Sequence, residues 1–363
     1  MQILSEKEPR ILFYGEEIFA DHEKNRRSGH LGHAMAQCAD GSILAFYPNC
    51  SYNLPENYPG HSMHGWVEYR RSLDRGITWE EPKILPYSWE AFLDGCYKIG
   101  CEKAVVCDDG TLVLFCLRSV GRCFEPYATP VCLRSTDNGQ SWSEPISVSD
   151  ERGRIYDAVY RDGRIYVLEF CNSTETGFIC TDPSLKYKLF VSDDSGKSFR
   201  LYSVLDFNTL GHTYGNLLFR TDGSLVFYGY NKEDEYHLTG LISQDLGRSW
   251  GEAFKIPVAK IARNPQVGYL NGRYILHGRS ENMENFVFYH SPDGIHWDEG
   301  TVVSQPLNGK PRRGCYYSNH LVIRGADGKD RMLVQYSEQF CPDSGRFTIM
   351  HAWVECDGTE KPL

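Results

Sequence analysis

The chain has 363 residues, 41% of them hydrophobic and 13% aromatic, and 38 basic against 48 acidic side chains leave a net charge of −10. An acidic chain without a long basic block discourages binding to nucleic acid or an anionic membrane, and no apolar run approaches the roughly 18 residues that span a bilayer as a helix. Thirteen cysteines without a C-x-x-C pair, behind a start that lacks a basic-then-apolar leader, predict free thiols in a reducing, cytoplasmic setting.

The first apolar run, Arg10-Ile11-Leu12-Phe13-Tyr14, has no hairpin partner nearby in sequence. Downstream, six tight turns sit between apolar runs: Asp40-Gly41, Asp109-Gly110, Asp162-Gly163, Asp222-Gly223, Asn271-Gly272 and Asp327-Gly328. Each is a two-residue hairpin signal, so the six are expected to join the first and second strands of six sheets. A second hairpin pattern, S-x-D-x-G-x-x-W, runs through the same chain at Ser72–Trp79, Ser135–Trp142 and Ser243–Trp250, with Phe as the aromatic in Ser192–Phe199. A fifth copy, Ser291–Trp297, is one residue shorter, and the five lie 48 to 63 residues apart. That period suits a four-stranded propeller blade, with the Ser and Asp bonding the turn backbone, the Gly supplying a positive φ and the aromatic packing against its own sheet.

These hairpins fall between third and fourth strands, and a sixth is missing for a topological reason. The last blade is expected to use Phe347–Val354 as its third strand and to borrow Arg10–Tyr14 from the N-terminus as its fourth. Such a ring has no free sheet edge. The expected fold is all-β: a six-bladed β-propeller of four-stranded antiparallel blades, closed by the N-terminal strand and forming a single domain over residues 1–363. The stretch from Asn49 to Gly65, rich in Pro, Asn, Tyr and His, reads as a loop over one face.

The S-x-D-x-G-x-x-W hairpins resemble the Asp-box, or BNR repeat, of the sialidase-like superfamily, and the resemblance covers nearly the whole chain. It implies the propeller fold and a structural role for the boxes, which in that superfamily lie away from the active site.

In a propeller the starting ends of the innermost strands converge at one mouth. The residues seven to ten positions before each Asp-Gly or Asn-Gly turn therefore form the candidate site: His30 and His33, Glu102, Tyr156 and Asp157, Tyr214, and Arg263 with Asn264. The sixth blade contributes Arg312, Arg313, Tyr316 and Tyr317, and loops leaving the second strands add Glu56, His61, Arg118, Arg122 and Arg279. Tyrosines and arginines offer stacking and forked hydrogen bonds suited to a sugar carboxylate, and Glu56 or Glu102 could protonate a leaving oxygen.

The resemblance implies a tyrosine nucleophile in the last blade, and Tyr317-Ser318-Asn319-His320-Leu321-Val322 matches that arrangement, with Tyr316 the neighbouring candidate. It also implies three arginines on the substrate carboxylate, one of which corresponds to Arg279. The chain departs from the family where blade one offers Gly29-His30-Leu31-Gly32-His33 with no arginine. It departs again where blade four offers Tyr214-Gly215-Asn216 in place of the glutamate that activates the tyrosine.

The expected function is exo-acting hydrolysis of a small-molecule or oligosaccharide glycoside, with Tyr317, Tyr316, Glu56, Glu102 and His33 as catalytic candidates. Substrate contacts are assigned to His30, Arg118, Asp157, Tyr214, Arg263, Arg279, Arg312 and Arg313. No cofactor or metal is expected, since His30-Leu31-Gly32-His33 lacks a defined third ligand. Two other readings stand beside it: a uronide lyase or histidine-dependent glycosidase using His33, and a glycan-binding propeller without catalysis.

Overall fold

The computed structural model describes residues 9–51, 64–120, 126–172, 178–281, 285–303, 314–341 and 346–357. Six antiparallel sheets surround one axis, and each Asp-Gly or Asn-Gly turn joins the first and second strands of its sheet. The first strands are Ala34–Gln37, Lys98–Val106, Arg154–Arg161, His212–Phe219, Arg263–Leu270 and Gly314–Arg324. In blade six the third strand, Arg346–Asp357, pairs with Arg10–Ala20 in the outer position, so the ring closes as the sequence predicts. Blade one carries a fifth short strand, Arg27–Ser28, which pairs with Cys50 and Ser51 ahead of the main first strand. Among the described residues no helix is long and apolar enough to cross a membrane.

The repeated hairpins share one hydrogen-bond set. In the copy at Ser135 the hydroxyl donates to Asp137 Oδ1 at 2.7 Å and accepts from Gly139 N at 2.7 Å, while Asp137 Oδ1 also accepts from Ser141 N at 2.9 Å. The residue before the glycine is left-handed as well in four copies, at Arg75, Asn138, Ser195 and Leu246. Hydrogen bonds from the hydroxyl side chains four residues on, and from the backbone, hold Asp74, Asp137 and Asp245 down at about 2.

One expectation is corrected here: the aromatic of each hairpin crosses to the preceding blade. Trp79 packs edge-on against Phe19 of blade six, Trp142 against Phe46 of blade one, Phe199 against Phe115 of blade two and Trp297 against Tyr228 of blade four. Trp250 donates its Nε1 hydrogen to Ser203 Oγ of blade three at 3.0 Å. The turn carbonyls follow the same direction, accepting from Tyr69 OH (Gly139 O, 3.2 Å), Arg134 Nε (Ser195 O, 2.7 Å), Ser203 Oγ (Gly247 O, 2.6 Å) and Tyr228 OH (Gly294 O, 2.8 Å). An aromatic in a turn has little sheet beneath it, whereas the neighbouring blade offers a flat apolar wall.

At the axis the first strands are joined by side chains. Lys103 Nζ reaches Gln266 Oε1 at 2.8 Å, Asn319 Oδ1 at 3.0 Å and Asp157 Oδ1 at 3.2 Å, linking blade two to blades five, six and three. Asp157 Oδ2 accepts from Leu217 N of blade four at 2.7 Å, and Asn216 Oδ1 accepts from Val267 N of blade five at 3.0 Å. Asn319 Nδ2 donates to His33 O of blade one at 2.7 Å.

Two outcomes follow from these contacts. Asp137→Asn should lower stability by about 1 kcal/mol in denaturant unfolding at pH 7; because the native carboxyl is depressed below its ordinary 3.8, this contribution is present above that value and should disappear as the pH falls toward 2. Lys103→Met leaves a buried carboxylate at Asp157 unpaired and should cost roughly 3–5 kcal/mol, with Lys103→Met/Asp157→Asn recovering part of the loss in the same measurement.

Candidate active site

Five of the six first strands carry a bulge at the mouth end. The pairing registers slip between Cys101 and Lys103, Ile155 and Asp157, Thr213 and Gly215, Arg263 and Gln266, and Gly314 and Ser318. The residues released from the ladder include Glu102, Tyr156, Tyr214, Asn264 and Tyr317. A bulge frees a residue from pairing and re-aims its side chain. Tyr214 and Asn264 hold positive φ values of 52° and 55°, a conformation that costs a non-glycine residue energy and is retained where surrounding structure enforces it. In blade one the break between Ser28 and Ala34 does the same for His30 and His33.

Glu102, Tyr156, Asn264 and Tyr317 line one cavity of about 20 Å³ together with His33, Lys103 and Arg154. The Tyr317 and Tyr214 hydroxyls hydrogen-bond to each other, and Arg279 Nη2 donates to Tyr214 OH at 2.9 Å. The Arg279 guanidinium also stacks on the Tyr317 ring, 4.0 Å from its centroid. Arg263 lies 5.9 Å from the Tyr214 ring centre and lines, with Arg279, Lys232, Glu235, Ser280 and Glu281, an adjoining cavity of about 150 Å³. Arg154, 4% exposed, donates to Glu102 Oε2 at 3.0 Å, while Glu102 Oε1 is buried without a hydrogen-bond partner among the described residues.

Burial would raise both phenols, yet the two diverge. Arg279, Arg263 and the hydrogen bond from Tyr317, with Arg154 behind them, outweigh burial at Tyr214 and hold it below its ordinary 10. Burial dominates at Tyr317, and Tyr214 adds to it, so its hydroxyl is held well above 10 despite the same three arginines.

Other sequence candidates sit elsewhere or are engaged. Tyr316 turns away from the mouth and stacks on Phe286 at 5.0 Å in the core between blades five and six. Asp157 belongs to the axial hub, where burial raises it and Lys103 opposes the rise. Arg118 is held on blade two by Thr129 and lies over the Tyr97 ring at 4.8 Å. His30 stacks on Phe347 and meets Tyr317 edge-on at 4.4 Å, which makes it a wall of the site. Both ring nitrogens of His33 are engaged, Nε2 with His30 O at 3.1 Å and Nδ1 with Gln335 Nε2 at 3.1 Å, and burial lowers the ring to about 4. Glu56, His61, Arg122, Arg312 and Arg313 lie outside the described residues.

Sequence reasoning missed Arg154 and Lys103. Lys103 follows the bulged Glu102 directly, and Arg154 precedes the bulged Tyr156 by two positions, so alternation along a strand would have flagged both once the bulges were known.

No protein-family model matches the chain. It is similar to the sialidase of Clostridium perfringens, 25% identical over 236 residues that make up 56% of this chain and 60% of the relative. The sialidase of Paraclostridium sordellii is 25% identical over 237 residues, 57% of each chain. The match thus spans less than two thirds of these relatives' length. Among solved structures, Hadza microbial sialidase Hz136 superposes with a TM-score of 0.64 at 16% identity over 93% of this chain and 68% of its own. The Penicillium chrysogenum α-L-arabinanase gives 0.58 at 14% identity over 94% and 98%. The chain is thus a six-bladed propeller whose sequence relatives are sialidases and whose structural neighbours include both sialidases and an arabinanase.

The buried histidines predict acid sensitivity. His22 and His33 are both lowered by burial from 6.5 to about 4, so between those values the unfolded chain binds protons that the folded one excludes. Stability should fall on acidification from pH 7 to pH 4.5 by roughly 2 kcal/mol per histidine. His33→Gln should remove one such share from the pH dependence of the unfolding free energy.

Proposed function

We propose that this sialidase-like propeller is an exo-acting glycoside hydrolase for a small acidic glycoside. The observation that carries the reading is the convergence of Arg154, Arg263 and Arg279 on the hydrogen-bonded Tyr214–Tyr317 pair. Three guanidiniums with Glu102 as carboxylate partner leave a local positive surplus in a buried setting, which suits a sugar carboxylate bound by forked hydrogen bonds. Arg263 and Arg279 would take that carboxylate, each also forming a wall of the larger cavity, where the rest of the sugar would lie.

Tyr317 is the nucleophile of this reading, facing the cavity beside Glu102. Glu102 carries the acid/base role: Arg154 holds one carboxyl oxygen, and the other has no hydrogen-bond partner among the described residues, placed to give a proton to the leaving group and then take one from water. The lyase alternative asks His33 for a free basic nitrogen, and both of its nitrogens are engaged. We read residues 1–363 as one catalytic unit, and the ten described cysteines, all unpaired, support a cytoplasmic setting.

The test is mass-spectrometric turnover of a panel of sialosides, uronides and rhamnosides beside the Arg279→Ala variant. The expected product is one water heavier than the substrate, with kcat/KM in the variant reduced roughly 10²-fold or more. A product set that conserves substrate mass would replace hydrolysis by elimination, and binding without turnover on the whole panel would leave a glycan-binding propeller.

A further inference from the structure

Two buried tyrosines share one hydrogen bond at the mouth, and their surroundings differ. The Tyr214 oxygen receives an N–H from Arg279 at 2.9 Å, and a guanidinium can only donate. Tyr317 carries its arginine on the ring face, at 4.0 Å, and among the described residues its oxygen bonds Tyr214 and no guanidinium. Either hydroxyl can donate in the shared hydrogen bond, and with Tyr214 ionised Tyr317 is the donor and the Tyr214 oxygen accepts from both Tyr317 and Arg279. Tyr214 sits at the apex of a bulge with φ 52°, a strained conformation kept at a buried position whose hydroxyl touches Tyr317 and Arg279.

We propose that Tyr214 is the proton acceptor for Tyr317, a second catalytic residue of the hydrolase read above; the inference rests on that reading. The charged and titratable groups facing Tyr214 are Arg154 and Tyr156 from blade three, Tyr230 from its own blade, Arg263 and Arg279 from blade five, and Tyr317 from blade six. The carboxylates of Glu102 and Glu235 are engaged with Arg154 and with Tyr230 and Lys232. Among the described residues the charges acting on Tyr214 are guanidiniums, with Glu235 and Glu281 on the far wall of the cavity that Arg263 and Arg279 line, and the guanidiniums favour a phenolate there.

In the first half-reaction the Tyr317 oxygen bonds the anomeric carbon as the glycosidic C–O bond breaks. The Tyr317 proton passes to the Tyr214 phenolate; Glu102, a carboxylate on Arg154 in the resting protein, takes up a proton from solvent on substrate binding and gives it to the leaving oxygen. In the second half-reaction water bonds the anomeric carbon as the Tyr317–carbon bond breaks. Its proton goes to Glu102, and Tyr214 returns the proton to Tyr317. A tyrosine thereby does the work of a carboxylate base, at a higher working pH.

The experiment is an ultraviolet tyrosinate titration of the folded protein and of Tyr214→Phe and Tyr317→Phe. Burial raises Tyr47, Tyr156, Tyr228 and Tyr289, and exposed phenols such as Tyr236 are common to all three proteins, so the tyrosinate of interest is read as the difference between each variant and the wild type below pH 10. It should be present in the wild type, absent in Tyr214→Phe and retained in Tyr317→Phe. With a turned-over substrate from the panel, Tyr214→Phe should lose roughly 10²–10⁴-fold in kcat, and Tyr214→Glu should keep activity while its acidic limb moves toward the carboxylate range. A low-pH tyrosinate that survives Tyr214→Phe, or none in the wild type, overturns the proposal whatever the turnover. If no glycoside reacts, the hydrolase reading fails while the titration still decides which tyrosine ionises. Thermal melts identify a variant that fails to fold, and the Tyr317→Phe titration then carries the decision.

Discussion

The Lys103 ammonium at the propeller axis is the contact on which the rest of the mouth depends. It is nearly buried and gains three acceptors from three different blades, Asp157, Gln266 and Asn319. An ammonium removed from water needs such partners, and partners converging from a ring fix the ring. Each acceptor lies within two residues of a bulged position: Asp157 follows Tyr156, Gln266 follows Asn264 and Pro265, and Asn319 follows Tyr317 and Ser318. The hub therefore pins the register at which each strand resumes pairing. A bulge that cannot slide cannot swing its side chain away, so the geometry of the tyrosines and arginines is inherited from the axis.

The opposite face is held by a different device. The repeated hairpins send an aromatic ring and a turn carbonyl to the preceding blade, so each acts as a clamp between neighbours. Blade six lacks such a hairpin and is clamped by strand pairing with Arg10–Ala20, where Phe19 stacks on His351 at 3.8 Å and meets Trp79 of blade one. The ring is thus closed by backbone hydrogen bonds at one seam and by side chains at the others. With cohesion supplied at the axis and at the far face, the mouth is released from a structural role, and residues that would be liabilities in a core can stand there.

This division explains what could be read in the sequence. Turn chemistry is local: Asp-Gly and Asn-Gly demand the same backbone wherever they occur, so counting them gave six blades, and the missing sixth hairpin identified the N-terminal strand as the closing one. Bulges are not local, because an extra residue in a strand looks like any other until its partner strand is known. Counting back from the turns still reached Glu102, Tyr214 and Arg263, but it could not tell Tyr316 from Tyr317. A slip of one position sends one ring into the core against Phe286 and the other to Arg279. Lys103 and Arg154 escaped for the same reason. The hairpin aromatics were misread toward their own sheet because sequence proximity says nothing about which neighbouring wall is closer.

Net charge and local charge point in opposite directions here, and the local one governs the site. The chain carries −10 overall, yet three guanidiniums act on the tyrosine pair, with Glu102 on Arg154 and with Glu235 and Glu281 on the wall of the adjoining cavity. Surface charge is screened within about 10 Å at ordinary ionic strength, whereas buried charges are screened far less. The same Arg279 that lowers Tyr214 is therefore the group an anionic ligand would seek. A ligand carboxylate seated on Arg279 neutralises the charge that stabilises the phenolate, and the Tyr214 oxygen then becomes the stronger base. Anion binding and the proton affinity of the pair are linked through one guanidinium: a carboxylate on Arg279 makes the Tyr214 phenolate a stronger base and at the same time lowers the fraction of Tyr214 that is ionised.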